Sequence, residues 1–324
     1  MRGRRPAALC VALAALTGCA TVRPPAAPSR VVQPLPAEIA QYYSYPERPH
    51  DVTKTLTREH RRWREFLVRF PLSAQGFEPT EPVVEFEWFE STRPGKRPGI
   101  AFHPILGGDY PLERGICRYF AKHGFHVAMI HRKTLKISPE HEPERLEVLL
   151  RQGVIRIRQV LDWMEEQPNV DATRLAGYGI SMGGIATVIA AAVDPRLRCH
   201  VAALPGGSIA DILATSHDPL LIKPMRRYLE RRHMTKAELD AVLRRVVKTD
   251  PVLLAPYVDA SHLLLFIALA DRTIGRANAL RLRAALGRPE TVFMPFGHYT
   301  SYLALPYMKR RSRLFLQRCL APEK

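Results

Sequence analysis

Short apolar runs at 83–89, 99–103, 125–130, 174–179, 199–204, 262–270 and 291–295 alternate along this chain with helix-compatible stretches at 112–123, 144–167, 185–193, 274–286 and 299–319. Apolar runs of this length suit strands buried on both faces, and helices between them supply the crossovers that parallel strands need. The expected fold class is α/β, a mainly parallel sheet sandwiched by helices, with reactive groups beyond the carboxyl ends of the strands. The 324 residues include enough chain for one large domain at 51–324, with no internal repeat. Between the 199–204 and 262–270 strands lies a long insertion, 206–260, predicted to be mostly helical and to cap the active site. Residues 51–70 mix apolar and basic positions and predict an amphipathic helix ahead of the sheet.

One serine stands where a strand must turn abruptly into a helix. It lies in Gly177-Tyr178-Gly179-Ile180-Ser181-Met182-Gly183-Gly184, followed by an unbroken apolar run at 185–193. Gly179 and Gly183, two positions either side of Ser181, remove side chains where strand and helix would collide. The Ser181 hydroxyl can then stand exposed on a strained turn, as a nucleophile requires. Gly-x-Ser-x-Gly alone is a weak signal, and the strand before it and the small-residue helix after it supply the context.

A serine hydroxyl needs a base within hydrogen-bond reach, and the base needs a partner that fixes its tautomer. Of 12 histidines, His298 alone lies beyond Asp271, in Pro295-Phe296-Gly297-His298-Tyr299 after the last strand. Asp271 follows the strongest apolar run directly, so its carboxylate emerges at a strand end. It could equally cap the helix that begins near Ile274. Asp211 is the second candidate acid. A developing oxyanion needs two backbone N–H groups. Met182, at the start of the helix after the nucleophile, is expected to give one, and Ile105, with Leu106 as the alternative, the other. No histidine pair with acidic company has a metal-ligand spacing, so neither metal nor cofactor is expected.

Ser181, Asp271 and His298 in that chain order, the glycine-flanked elbow and the His103-Pro104-Ile105-Leu106-Gly107-Gly108 loop together resemble the α/β-hydrolase superfamily over about 83–319. Val170-Asp171-Ala172-Thr173-Arg174 is similar to the approach to the elbow in dienelactone-hydrolase-like and prolyl-oligopeptidase-like members. The resemblance implies attack of Ser181 on an acyl carbon, proton transfer through His298, orientation of that imidazole by Asp271, and release of the acyl group by water. Pro104 departs from the His-Gly start common in this loop, and it has no N–H to donate. The resemblance also implies that the helix after this loop and the final helix share one face of the sheet. That would bring Cys117 near Cys319, as a disulfide in an oxidising compartment.

The start of the chain is read separately from the fold. Arg2, Arg4 and Arg5, a short apolar core at 7–16 and Leu16-Thr17-Gly18-Cys19 resemble a bacterial lipoprotein signal, 1–18, cleaved before Cys19. The resemblance implies lipid on Cys19, membrane attachment through it, and, because Ala20 follows, the outer membrane facing the periplasm. An ordinary secretory signal is the plainer alternative. The proline-rich stretch 19–50 reads as a tether. The formal net charge of +17 includes a dense basic cluster at 223–248, with Arg226, Arg227, Arg231, Arg232, Arg244 and Arg245. A solvated helix face in a basic protein explains it more simply than attraction to anionic headgroups. Nucleic acid is excluded as a partner, since no binding motif accompanies the charge. The expected function is an envelope-anchored serine hydrolase acting on a small-molecule or lipid-like carboxylic ester. A peptidase or acyltransferase with the same triad, or a binding lipoprotein without catalysis, are the alternatives.

Overall fold

The computed structural model describes residues 21–23, 31–107, 109–132 and 138–322. A ten-stranded sheet runs through the molecule in the order β1-β10-β9-β8-β7-β5-β6-β4-β3-β2. Its strands are β1 (Thr21–Arg23), β2 (Thr53–His60), β3 (Trp63–Pro71), β4 (Val83–Ser91), β5 (Arg97–His103), β6 (His126–Ile130), β7 (Val170–Ile180), β8 (Leu197–Ala203), β9 (Leu263–Ala268) and β10 (Glu290–Met294). From β6 through β5, β7, β8 and β9 to β10 all pairs are parallel. Antiparallel strands close both edges. Every residue of β6 and β9 is buried, because helices cover both faces.

One face carries α2 (Pro111–Lys122) and α9 (Leu305–Cys319), whose Ile116, Phe120, Met308 and Phe315 pack on Phe102, Tyr178 and Phe266. The other carries α3 (Glu144–Glu165), α4 (Met182–Val193) and α8 (Arg276–Ala285), packed on the alternate residues of the same strands. Between β8 and β9 the chain leaves the sheet to form α5 (Ile209–Thr215), α6 (Pro219–Arg232) and α7 (Lys236–Val246). Met225, Tyr228, Leu239 and Leu243 of these helices pack with Leu150 of α3, so the insertion has a small core of its own.

Three expectations are corrected. Residues 51–70 form the β2–β3 hairpin and not a helix: Thr53, Thr55 and Thr57 repeat with period two, and β3 buries Trp63, Glu65, Val68 and Phe70 while β2 stays exposed. Threonines at alternate positions favour a pleated strand over a helix. The presumed tether carries β1 at Thr21–Arg23 and α1 (Ala37–Tyr42). Tyr43 is buried with its hydroxyl on Thr249, and the Tyr42 and Tyr45 hydroxyls donate to Glu147 and Asp162 at 2.8 and 2.7 Å. Aromatic rings this deeply engaged make the segment part of the domain. The disulfide joins Cys199 of β8 to Cys319 at the end of α9, leaving Cys117 free and buried. α2 and α9 do share a face, as implied, but the last turn of α9 lies over β8, where Cys199 points into the same cluster with its Cα 6.2 Å from that of Cys319. Residues 1–20, including Cys19, fall outside the described residues.

Candidate active site

Ser181 sits between the last residue of β7 and the first of α4 at φ 56°, ψ −119°, a backbone region that a non-glycine residue occupies only under constraint. The constraint is visible in its neighbours. A Cβ at Gly183 would run into the carbonyl oxygen of His103, and one at Gly179 into the carbonyl of Gly183. Both glycines are therefore needed for the close approach of β5, β7 and α4.

The Ser181 Oγ lies 2.9 Å from Nε2 of His298. The His298 Nδ1 lies 2.7 Å from Oδ2 of Asp271, and both side chains are buried. The Asp271 Oδ1 accepts N–H bonds from Thr273 and Ile274 at 2.8 and 2.9 Å. One oxygen of Asp271 thus faces His298 while the other caps the turn at Thr273 and Ile274. Acid and base loops are also stitched together: the N–H groups of Leu269 and Ala270 donate to the carbonyls of Met294 and Phe296. Asp211 is elsewhere, ion-paired with Arg244 and Arg281.

The first intrahelical bond of α4 runs from the Ile185 N–H to the Ser181 carbonyl, so the N–H groups of Met182, Gly183 and Gly184 are not taken up by the helix. Across the elbow, the Arg132 guanidinium donates to the carbonyls of Pro104 and Ile105 at 3.2 and 2.9 Å. In a trans peptide the C=O and N–H point opposite ways. With those carbonyls drawn toward Arg132, the N–H groups of Ile105 and Leu106 are turned away from it. Among the described residues no carboxylate lies within ion-pairing distance of Arg132, and burial pulls its pKa down. Among the described residues, the Pro104 and Ile105 carbonyls accept its hydrogen bonds. On the far side, burial pushes the Glu113 carboxyl pKa up, against the opposing pull of the backbone at Glu113 and Ile105.

A cleft of about 1000 Å³, measured out to its mouth, opens above Ser181. Ile105, Leu106, Met182 and His298 border it on the sheet side, and its walls are apolar, with Leu150, Ile185, Ile209, Ile212, Leu221 and Ile274. Among the described residues the one carboxylate on the wall is Asp218, which was not singled out from sequence. Its Oδ1 accepts the Leu220 N–H, and its Oδ2 accepts the hydroxyls of Thr273 and Tyr299. The His217 N–H also donates to the Arg272 carbonyl at 2.9 Å. The cap is thereby tied to the residues that immediately follow both Asp271 and His298. Burial opposes ionisation of Asp218, but the hydrogen bonds from Tyr299, Leu220 and Thr273 outweigh it and hold its pKa low. The Tyr299 phenol, by burial and this carboxylate, is pushed up to about 12. Asp218-Pro219 was legible only as a helix start. Among the described residues no group of three or more His, Cys, Asp or Glu is placed to hold a metal.

Residues 151–294 match the prolyl oligopeptidase family. No curated protein matches the chain by sequence. Among solved structures, acetyl xylan esterase 1 from Thermoanaerobacterium sp. JW/SL YS485 is similar with a TM-score of 0.62 at 18% identity, over 86% of this chain and 94% of that one. The acetyl xylan esterase from Paenibacillus sp. R4 follows at 0.59 and 16%, over 85% and 99%. Pyrococcus horikoshii acylaminoacyl peptidase gives 0.57 at 15%, over 80% of this chain and 48% of that one. The chain has the α/β-hydrolase fold, with Ser181 on the sharp turn from β7 into α4.

Proposed function

We propose that this protein cleaves carboxylic esters with an apolar acyl or alkyl part, through an acyl-enzyme on Ser181. The hydrogen-bonded chain from Ser181 through His298 to Asp271, opening into an apolar cleft, carries the reading. His298 takes the hydroxyl proton as Ser181 attacks and returns it to the leaving alkoxide, and Asp271 stabilises the imidazolium. Met182 and Ile105, with Leu106 beside it, supply the N–H groups for the oxyanion. A water activated by His298 then releases the acid. No cofactor or metal enters these steps, and the substrate is a small or lipid-like ester.

The lipobox Leu16-Thr17-Gly18-Cys19 supports attachment to the bacterial envelope through lipid on Cys19, outer membrane facing the periplasm. The match to the prolyl oligopeptidase family favours a second reading, amide cleavage with the same residues. A series of p-nitrophenyl esters of rising acyl length, run beside matched anilides, separates the two. Ester hydrolysis is expected to exceed anilide hydrolysis and to rise from acetyl to medium chains; faster turnover of the anilides would overturn the ester assignment.

The Arg132 contact makes its own prediction. Arg132→Met frees the Pro104 and Ile105 peptides to rotate, and kcat should fall about tenfold to a hundredfold, less than the roughly 10²- to 10³-fold cost of losing one oxyanion donor outright. KM should barely move, and a boronic acid that mimics the tetrahedral intermediate should lose affinity by the same factor. An unchanged kcat would remove Arg132 from the mechanism.

A further inference from the structure

The direction of β1 fixes where the start of the chain leaves the body. It runs antiparallel to β10, with Thr21 opposite Phe293 and Arg23 opposite Thr291. Thr21 is thus the residue of β1 nearest the carboxyl end of β10, from which the His298 loop emerges. The neighbouring β9 is parallel to β10, with Ala268 opposite Met294, so Asp271 emerges at the same end. Cys19 precedes Thr21 by two residues, a reach of about 7 Å at most.

The mouth of the cleft lies at this end too, and its rim is apolar where it meets solvent. Leu220 at the start of α6 is 72% exposed and Leu303, beside the cleft-lining Tyr302, 67%; Tyr299 is also exposed. Leu220 and Tyr299 line the cleft as well, so rim and cleft wall are continuous. Exposed apolar groups that gather round an opening mark an interaction surface. Beside them α6 turns Lys223 and Arg227 outward on the face of Leu220, at helical spacing. Several other cations of the cap are matched: Arg226 with Glu230, Arg231 with Glu140, Arg232 with Glu142, Arg244 with Asp240. Among the described residues, Lys223 and Arg227 have no carboxylate within ion-pairing distance.

We propose that the rim of the cleft, Leu220, Tyr299 and Leu303 with Lys223 and Arg227, docks on an anionic phospholipid surface, so that the cleft opens toward the bilayer. The apolar groups enter the headgroup boundary while the two cations meet lipid phosphates, the pairing typical of interfacial binding. It builds on the function proposed above in one respect: lipid on Cys19 would hold this same end of the sheet at the membrane, and the substrates reached would be membrane-borne esters. The docking surface itself needs neither the lipid nor catalysis.

The test uses the full mature chain carrying Cys19→Ser, sedimented with vesicles of phosphatidylglycerol and phosphatidylcholine in equal parts or of phosphatidylcholine alone. Binding is expected on the anionic vesicles only. Adding Lys223→Glu, Arg227→Glu and Leu303→Ser should weaken it at least about tenfold, given roughly fivefold per cation near a charged surface. Near-ultraviolet circular dichroism, and hydrolysis of a soluble acetyl ester without vesicles, should be unchanged in that variant. A dye on Leu303→Cys should shift to the blue on vesicles and one on Arg58→Cys, at the opposite edge of the sheet, should not. Equal binding by parent and rim variant, or none by the parent, would overturn the proposal. Ser181→Ala should dock like the parent, so a protein that docks without hydrolysing esters defeats the functional reading and leaves this one standing.

Discussion

Ser181→Ala is expected to lower kcat for a p-nitrophenyl ester by about 10⁶-fold, the scale at which removing a triad nucleophile acts in serine hydrolases. In the proposed mechanism the Oγ is the atom that bonds to the acyl carbon, and among the described residues no other hydroxyl lies at 2.9 Å from the His298 Nε2. His298→Ala should cost nearly as much, and the double variant little more than either, because base and nucleophile act as a unit. Labelling with a fluorophosphonate followed by peptide mapping supplies the second check, with the adduct on Ser181 and none in Ser181→Ala. Activity that survives intact in the alanine variant, or additive losses in the double variant, would end the assignment.

Asp271→Asn carries the next largest effect, a fall in kcat of about 10⁴-fold with KM little changed. The amide keeps the shape and, through its oxygen, the two N–H bonds from Thr273 and Ile274. Its nitrogen then faces the His298 Nδ1, holds the proton on the wrong ring nitrogen and leaves the imidazolium without a counter-charge. A thermal midpoint close to that of the parent, measured alongside, distinguishes this loss from unfolding. Were the activity to fall by less than about tenfold, Asp271 would be a cap and not an orienting acid. Asp211→Asn provides the contrast: its carboxylate is engaged by Arg244 and Arg281, and ester hydrolysis should be retained.

How far the site could be read from sequence depended on how local each signal was. The elbow was legible because Gly179 and Gly183 lie two residues from the serine they serve, and their necessity is a short-range backbone collision. Asp271 and His298 were legible because strand ends present side chains at one edge of a parallel sheet. Arg132 and Asp218 were not. Arg132 acts on carbonyls 28 and 27 residues away, and a carbonyl leaves no trace in residue identity. Asp218 meets Thr273 and Tyr299 across 55 and 81 residues, and nearer at hand it looks like any helix cap. Among the elements, the parallel strands announced themselves by unbroken apolar runs. The β2–β3 hairpin was hidden because β2 is wholly exposed and its turn at Arg61 and Arg62 has no glycine, asparagine or proline. The tyrosines at 42, 43 and 45 were masked by the prolines before them, since proline content reports local stiffness and says nothing of what an aromatic ring finds to pack on.

The bond between Cys199 and Cys319 closes a covalent ring with a sequence separation of 120 residues. The whole cap, Asp271 and His298 lie on that ring, while Ser181, Met182 and the 103–106 loop lie outside it. A chain that loses its tertiary packing with the bond intact keeps the acid, the base and the cap confined to one loop whose ends remain joined. Closing a ring of this size removes on the order of 5 kcal/mol of freedom from the unfolded chain. The molecule is thus divided into a tied part that carries Asp271 and His298 and an untied part that carries Ser181, and reduction acts on the first.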